Sequence, residues 1–165
     1  ISFSNPADPE MCEILRQAGK EIGHSVSKGG TYVNMEGPAF STQAESMYYN
    51  RNGFDVIGMT NMIEAKLARE AEIAYASLSM VTDYDSWDPR AQAVTVEMVI
   101  KILKQNSETA QHILFHAVPK IAQLPDSPAH NALRDAILTP PQAWPADTAQ
   151  KLAPIIGRYA QAQVV

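Results

Sequence analysis

The feature that most constrains the fold is an apolar run at residues 73–81, whose side chains do not alternate between apolar and polar. A half-exposed strand alternates, whereas a strand that is buried on both faces reads as a continuous apolar run. The run is far too short to span a bilayer as a helix. It therefore predicts a central strand of an α/β sheet that has helices on its faces.

The remainder of the chain alternates between helix and strand signals. Two further short strands are predicted at residues 31–35 and 55–59, and two short helices at residues 129–138 and 147–159. Capping residues mark the starts of four more helices, at Asp8 with Pro9, Thr42 with Glu45, Asn61 with Glu64, and Thr95. Three strands are fewer than the average sheet of about five to six, so we expect the chain to contribute part of a larger sheet.

Composition restricts the class of protein. The chain has 165 residues, of which 45% are hydrophobic and 19% charged, as is typical of one soluble globular domain. The net charge of −5 and the lack of a Lys/Arg cluster argue against a nucleic-acid partner. The single cysteine, Cys12, fits a reducing compartment, so we expect a cytoplasmic protein with no membrane segment. Because the first residue is Ile rather than Met, we expect a fragment or a nicked product.

In open α/β sheets, ligands bind beyond the carboxyl ends of the strands. The loop after residues 73–81 is the most informative, because Asp83 and Asp85 stand two residues apart in it. Two interpretations fit this spacing. In one, an acid in an apolar pocket donates a proton to a leaving group. In the other, both acids hold turns and face water.

The other two predicted strand ends also allow two interpretations. Phe40 either stacks on a ligand or fills the core. Met59 and Thr60 either contact a ligand or serve as an ordinary core residue and helix cap. No metal site is expected, because His112 and His116 stand four residues apart without further ligands nearby. The sequence contains no phosphate-binding P-loop and no dinucleotide fingerprint.

Three motifs in sequence order resemble those of methylthioadenosine phosphorylases, in the trimeric nucleoside phosphorylase family. They are residues 36–46 (EGPAFSTQAES), 58–64 (GMTNMIE) and 76–87 (ASLSMVTDYDSW). One departure is Ile63, where the family usually has proline. The resemblance implies a three-layer α/β/α fold with a central mixed sheet, here lacking its amino-terminal half. Residues 1–165 would be the carboxyl-terminal part of a single domain, with the sheet and helices in 1–119 and a helical tail in 120–165.

The resemblance also implies roles for individual residues. Asp83 would act as the acid at ring nitrogen seven of adenine, and Asp85 would accept a hydrogen bond from the exocyclic amine. The remaining positions would bind substrate: Thr82 and Ser41 at the base, Phe40 against base and ribose, Met59 under the ribose, Thr60 at phosphate, and Val94, Val96 and Val99 around the 5′ substituent.

Three of these positions bear on substrate choice. Relatives that cleave inosine and guanosine have a Glu where Ser41 stands, an Asn in place of Asp83 and a His in place of Val96. A carboxylate accepts from a 6-amino group, and a valine offers no hydrogen bond to a 5′-hydroxyl. The resemblance therefore favours an adenine nucleoside with a methylthio group.

The activity expected from the resemblance is phosphorolysis of 5′-methylthioadenosine to adenine and 5-methylthioribose 1-phosphate. Phosphate would be a co-substrate, no metal or organic cofactor is implied, and the assembly would be a homotrimer. The family's Gly-rich phosphate loop and its Arg-His pair belong to the amino-terminal half, so we expect that half to be a necessary partner. Two alternatives remain: a phosphorylase for inosine, guanosine or 5′-methylthioinosine, and a non-catalytic purine-nucleoside binding fragment.

Overall fold

The computed structural model of the chain describes residues 1–90 and 95–160, which form two compact units. The first, the sheet unit, consists of Pro9–Met62 and the described part of Ser77–Leu124. The second, the tail unit, consists of Ile1–Asp8, Ile63–Ala76 and the described part of Pro125–Val165. Across both described ranges, no helix combines the length and the apolar character that crossing a membrane requires.

The sheet unit contains a parallel β-α-β arrangement. Strand β1 (Tyr32–Asn34) pairs with β2 (Val56–Gly58) in a register that places Asn34 beside Gly58. Both strands fall inside the predicted segments and lose one residue at each end, which confirms the predictions and the α/β class. Parallel strands need a crossover, and a helix between β1 and β2 supplies it.

The structure has five α-helices in its described ranges. They are α1 (Pro9–Glu21), α2 (Gln43–Arg51), α3 (Asn61–Glu70), α4 (Val96–Ile121) and α5 (Ala146–Ile156). The two predicted Thr caps are present. Thr42 and Glu45 form a reciprocal capping box at α2, and Thr95 accepts from the Met98 N–H at 3.3 Å at the start of α4.

Helices α1 and α4 form the core of the sheet unit by packing against each other. Their buried apolar residues are Leu15 and Ala18 on α1, and Ile113 and Ala117 on α4. The two alanines have no exposed surface, so the helix backbones can approach closely. Lys120 at the end of α4 donates to Glu21 at the end of α1 at 2.5 Å.

The predicted strand at residues 73–81 is wrong for the described part of this chain. The only described sheet consists of β1 and β2, and residues 73–81 belong to no strand. Ile73 is 56% exposed and Val81 60% exposed. Burial on both faces requires a paired strand on at least one side and a covering layer on each face, and the described residues supply neither.

The second wrong prediction concerns a helix in the tail unit. The predicted helix at 129–138 is a 3-10 turn, Pro128–Asn131, that is followed by further turns. The N–H of Leu133 would donate to Ala129 in an α-helix, but it donates to the Glu72 carboxylate at 2.9 Å. The predicted helix at 147–159 is confirmed, as α5 followed by a 3-10 turn at Gly157–Tyr159.

Candidate functional site

The first candidate loop follows β1 and comprises residues 35–42. The Met35 N–H donates to the Gly58 carbonyl at 2.9 Å, so the ladder continues one residue past the strands. Ser41 turns its hydroxyl back onto the Met35 sulfur at 3.3 Å. Phe40 is 88% exposed, which excludes the interpretation that it fills the core. Its ring is open to a ligand or to another surface.

The second loop, residues 59 and 60, follows β2. The Asn34 side chain donates to the Met59 carbonyl at 3.0 Å and accepts from the Met62 N–H at 3.0 Å. The Met59 sulfur would lie 3.4 Å from a Cβ placed on Gly37, so the thioether lies against the first loop. The structure thus brings these two loops together, with the exposed Thr60 at the tip of the second one.

The third loop, residues 82–90, carries the two predicted acids. The Thr82 hydroxyl donates to Asp83 at 2.5 Å, and the Asp83 side chain is otherwise on the exposed surface. Asp85 is half-buried and accepts from the Ser86 N–H at 2.8 Å. In this structure Asp85 therefore holds a turn, which was the simpler of its two interpretations, while Asp83 stays accessible.

Aromatic and charged side chains stiffen the third loop. The Arg90 guanidinium lies 3.8 Å from the Tyr84 ring centroid, and Trp87 meets the same ring edge-on at 6.4 Å. Arg90 also donates to both carboxylate oxygens of Asp88, at 2.9 and 2.6 Å. This forked pair holds the pKa of Asp88 down at about 2, chiefly through the side-chain hydrogen bonds from Arg90.

Two hydrogen bonds join the third loop to helices of the sheet unit. The Trp87 N–H donates to the hydroxyl of Ser46, a fully buried residue of α2, at 2.9 Å. At the entrance to the loop, the Val81 carbonyl accepts from Asn106 of α4 at 2.8 Å. Since α2 directly follows the first loop, these contacts fix the third loop relative to the first.

In its described residues, the structure does not bring the valines that were predicted around the 5′ substituent together with the other site residues. Val94 lies outside the described residues. Val96 begins α4 and is 70% exposed, and Val99 is half-buried one turn later. The described contacts do not join these valines to Asp83 or to Met59, so their role as an apolar pocket stays a prediction.

The charge of the three loops limits what they can bind. Arg90 is the only basic side chain in their described residues, and its guanidinium is already paired with Asp88. Carboxylates, hydroxyls and aromatic rings suit a neutral heterocycle that has donor groups. A phosphate dianion needs charge-assisted donors, which these loops do not offer. Within residues 1–90 and 95–160, no three His, Cys, Asp or Glu side chains are grouped so that they could hold a metal ion.

A groove of about 450 Å³ lies elsewhere, within the tail unit. Glu72, His130 and Arg158 contribute its charged and polar side chains. None of the predicted site residues lines it, so the groove adds nothing to the candidate site.

The family follows from the sequence that contains these three loops. Residues 1–119 match the family described as the phosphorylase superfamily, and all three loops fall within the match. The chain belongs to the phosphorylase superfamily. Its helices and small parallel sheet are therefore part of the nucleoside phosphorylase-like fold that the motifs predicted.

Within the phosphorylase superfamily, the chain is similar to several methylthioadenosine phosphorylases. It is 54% identical over 159 residues to the S-methyl-5′-thioadenosine phosphorylase of Chloroflexus aurantiacus. This match covers 96% of the chain and 55% of that relative. Among solved structures, it matches a methylthioadenosine phosphorylase from an antarctic soil metagenomic library with a TM-score of 0.85 and 45% identity. That match covers 94% of this chain and 55% of the other.

A third match is methylthioadenosine phosphorylase from Schistosoma mansoni, which was solved in complex with adenine. The TM-score is 0.70 at 28% identity, and the match covers 81% of this chain and 52% of the other. In each of these comparisons, the chain spans about half the length of the phosphorylase that it matches.

Three residues that organise the site were not predicted from the sequence. Asn34 ties the first two loops together, Ser46 anchors the third loop, and Arg90 stacks on Tyr84. Asn34 carried a usable signal, because an amide side chain at the end of a strand can bond to neighbouring backbone. Ser46 closes the first motif, but the sequence does not mark the partner of Ser46 or of Arg90, because the tertiary structure fixes both partners.

Proposed function

We propose that this chain is the carboxyl-terminal part of a phosphorylase that cleaves 5′-methylthioadenosine. The observation that carries the proposal is the joining of the three motif loops: Asn34 binds the second loop to the first, and Ser46 binds the third to α2. The names of the relatives, and the adenine held by the Schistosoma enzyme, support the same substrate class.

In the proposed reaction, a phosphate oxygen attacks the anomeric carbon of the ribose while the bond from that carbon to purine nitrogen nine breaks. Positive charge develops on the sugar, and the electron pair of the broken bond moves onto the purine. Asp83 supplies or shares a proton at nitrogen seven, so the base leaves as neutral adenine. The second product is 5-methylthioribose 1-phosphate, and no metal or organic cofactor takes part.

Adenine selectivity follows from acceptors at the base. The turn-forming Asp85 presents carboxylate oxygens to a donor amine, and the accessible Asp83 can accept with the oxygen that does not carry its proton, whereas a 6-oxo group would bring its own acceptor against them. Ser41, where relatives that cleave inosine and guanosine have a Glu, is the third position at the base that favours adenine. Val96 lacks the hydrogen-bonding atom that a 5′-hydroxyl requires, which favours a methylthio group.

The proposal includes a division of labour. The loops of this chain bind the nucleoside, with Phe40 over the base and ribose, Met59 beneath the ribose and Thr82 at the base. Thr60 contributes one donor to phosphate, and the remaining half of the longer protein contributes the charged donors. We further propose a homotrimer that works in the cytoplasm, with its sites near the subunit interfaces.

Asp83→Asn in the longer protein tests the proposal most simply. The substitution keeps the size of the side chain but removes its proton transfer, so kcat for methylthioadenosine should fall by about 10²- to 10⁴-fold. Inosine should lose less, because an amide can donate to a 6-oxopurine. Asp135→Asn, at an exposed acid of the tail unit, is the matched control and should leave kcat unchanged.

Two results would contradict the assignment. The first is unchanged methylthioadenosine turnover in Asp83→Asn, which would remove Asp83 from the mechanism. The second is an unsubstituted enzyme that prefers inosine to methylthioadenosine, which would shift the specificity to 6-oxopurines.

A further inference from the structure

The start of α3 is capped by a residue from another part of the chain. A Thr that directly precedes a helix normally places its hydroxyl over the first turn, where it accepts an N–H two or three residues on. Thr60 holds that position before Asn61. Yet the Met62 N–H donates instead to the Asn34 side-chain oxygen, at 3.0 Å. This N–H of the first turn is thereby satisfied without the Thr60 hydroxyl.

The amide nitrogen of the same Asn34 side chain also forms a hydrogen bond to the second loop. Its amide nitrogen donates to the Met59 carbonyl at 3.0 Å, while its oxygen accepts from Met62. The strand register allows the Asn34 side chain to contact residues 59 and 62, because Asn34 is the last residue of β1 and lies beside Gly58, the last residue of β2. One planar amide thus fixes the backbone on both sides of Thr60.

We propose that Asn34 is a positioning residue for phosphate: it caps α3 in place of Thr60 and leaves the Thr60 hydroxyl free to turn toward the substrate. The inference rests on the proposed function. A hydroxyl engaged as a cap points over its own helix, and a hydroxyl released from that task can donate to an anion. Thr60 is exposed in this structure, and the Met62 N–H, which a Thr60 cap could have bound, donates to Asn34.

The kinetic test is a double-mutant cycle in the longer enzyme, made from Asn34→Ala and Thr60→Val. Asn34→Ala should raise KM for phosphate about tenfold, the effect of losing one hydrogen bond to a charged group, and should raise KM for methylthioadenosine less, through the lost hydrogen bond to the Met59 carbonyl. Thr60→Val alone should have a similar effect. The two should not add, because Thr60 returns to the cap once Asn34 is gone.

Hydrogen exchange at the Met62 amide tests the cap without any turnover. Thr60→Val alone should leave Met62 exchange unchanged, since Asn34 holds that N–H. In the Asn34→Ala background, the same Thr60→Val substitution should speed Met62 exchange by about tenfold or more, since both acceptors are then absent. Asn52→Ala is the control: its amide donates to the Tyr48 carbonyl at 2.7 Å at the end of α2, and neither readout should respond to its loss.

Three outcomes would overturn the inference. They are an unchanged phosphate KM in Asn34→Ala, additive effects of the two substitutions, and faster Met62 exchange in Thr60→Val alone. An inactive unsubstituted enzyme would instead refute the proposed function, and with it the role of Thr60 at phosphate. The exchange pattern would then show by itself whether Asn34 or Thr60 caps α3.

Discussion

At the scale of single residues, the third loop depends on one arginine. Arg90 satisfies the nearly buried carboxylate of Asp88 and covers one face of Tyr84, which stands between Asp83 and Asp85. A guanidinium can do both because it is planar and carries its donors in a fork. A lysine would supply the charge without that geometry, so the shape of the loop depends on the arginine itself.

The first prediction concerns the ionisation of Asp88. The pKa of Asp88 is lowered from 3.8 to about 2, so this pair stabilises the fold above pH 3.8 and the contribution is lost as the pH falls through about 2. Arg90→Met should raise the pKa of Asp88 toward 3.8 and move acid unfolding to higher pH. A carboxyl-carbon NMR titration measures the pKa, with Arg134→Met as the exposed control. An unchanged Asp88 midpoint would exclude Arg90 as the cause.

At this scale the sequence predicts candidate site residues but not the residues that support them. Asp83, Met59 and Phe40 stand in motifs that can be read directly from the sequence. The contact of Ser46 with Trp87 joins residues 41 positions apart, and no local pattern marks such a pair. Candidate substrate-binding positions can therefore be predicted from the sequence alone, whereas the residues that hold them in place emerge from the fold.

At the scale of secondary-structure elements, the sequence predicted helix starts correctly where contacts within a few residues determine the structure. The capping box of Thr42 and Glu45 satisfies the helix start from within four residues, and the structure contains it. The two wrong predictions, a strand and a helix, concern segments whose structure depends on residues far away in the sequence. Residues 73–81 need neighbouring strands, and residues 129–138 lose a helical N–H to Glu72.

The capping box gives a stability prediction. Thr42→Ala removes the side-chain acceptor of the Glu45 N–H, and we expect the free energy of unfolding to fall by ~1 kcal/mol. Thr148→Ala, at an exposed position inside α5, is the matched control. That control should be neutral or slightly stabilising, because alanine is the better helix former. Urea unfolding of both variants gives the comparison, and equal losses in the two would refute the capping role.

At the scale of the whole molecule, the described residues leave apolar surface uncovered. Val96, Ile100, Leu103, Leu114 and Val118 recur along one face of α4 and are between 44% and 70% exposed. Residues 73–81 are also apolar and belong to no described strand. Apolar surface of this extent usually marks an interface. Because the chain spans about half of its relatives, we propose that the rest of the longer protein covers these surfaces.

Hydrogen exchange tests this coverage. Residues 76–81 form no described strand, so their amides should exchange rapidly in the 165-residue chain. In the longer protein, pairing with neighbouring strands should protect the same amides by orders of magnitude. The amides of β2 provide the internal reference, because they already pair with β1. Equal exchange of residues 76–81 in both proteins would contradict the proposed sheet.

The central claim is that this chain holds the nucleoside, whereas residues beyond it hold the phosphate. The direct measurement is adenine release from 5′-methylthioadenosine, with and without phosphate, by the 165-residue chain and by the longer protein. We predict phosphate-dependent release of adenine and 5-methylthioribose 1-phosphate by the longer protein, and no turnover by the 165-residue chain. Robust phosphorolysis by the 165-residue chain alone would contradict the claim, as would a longer protein that leaves methylthioadenosine intact.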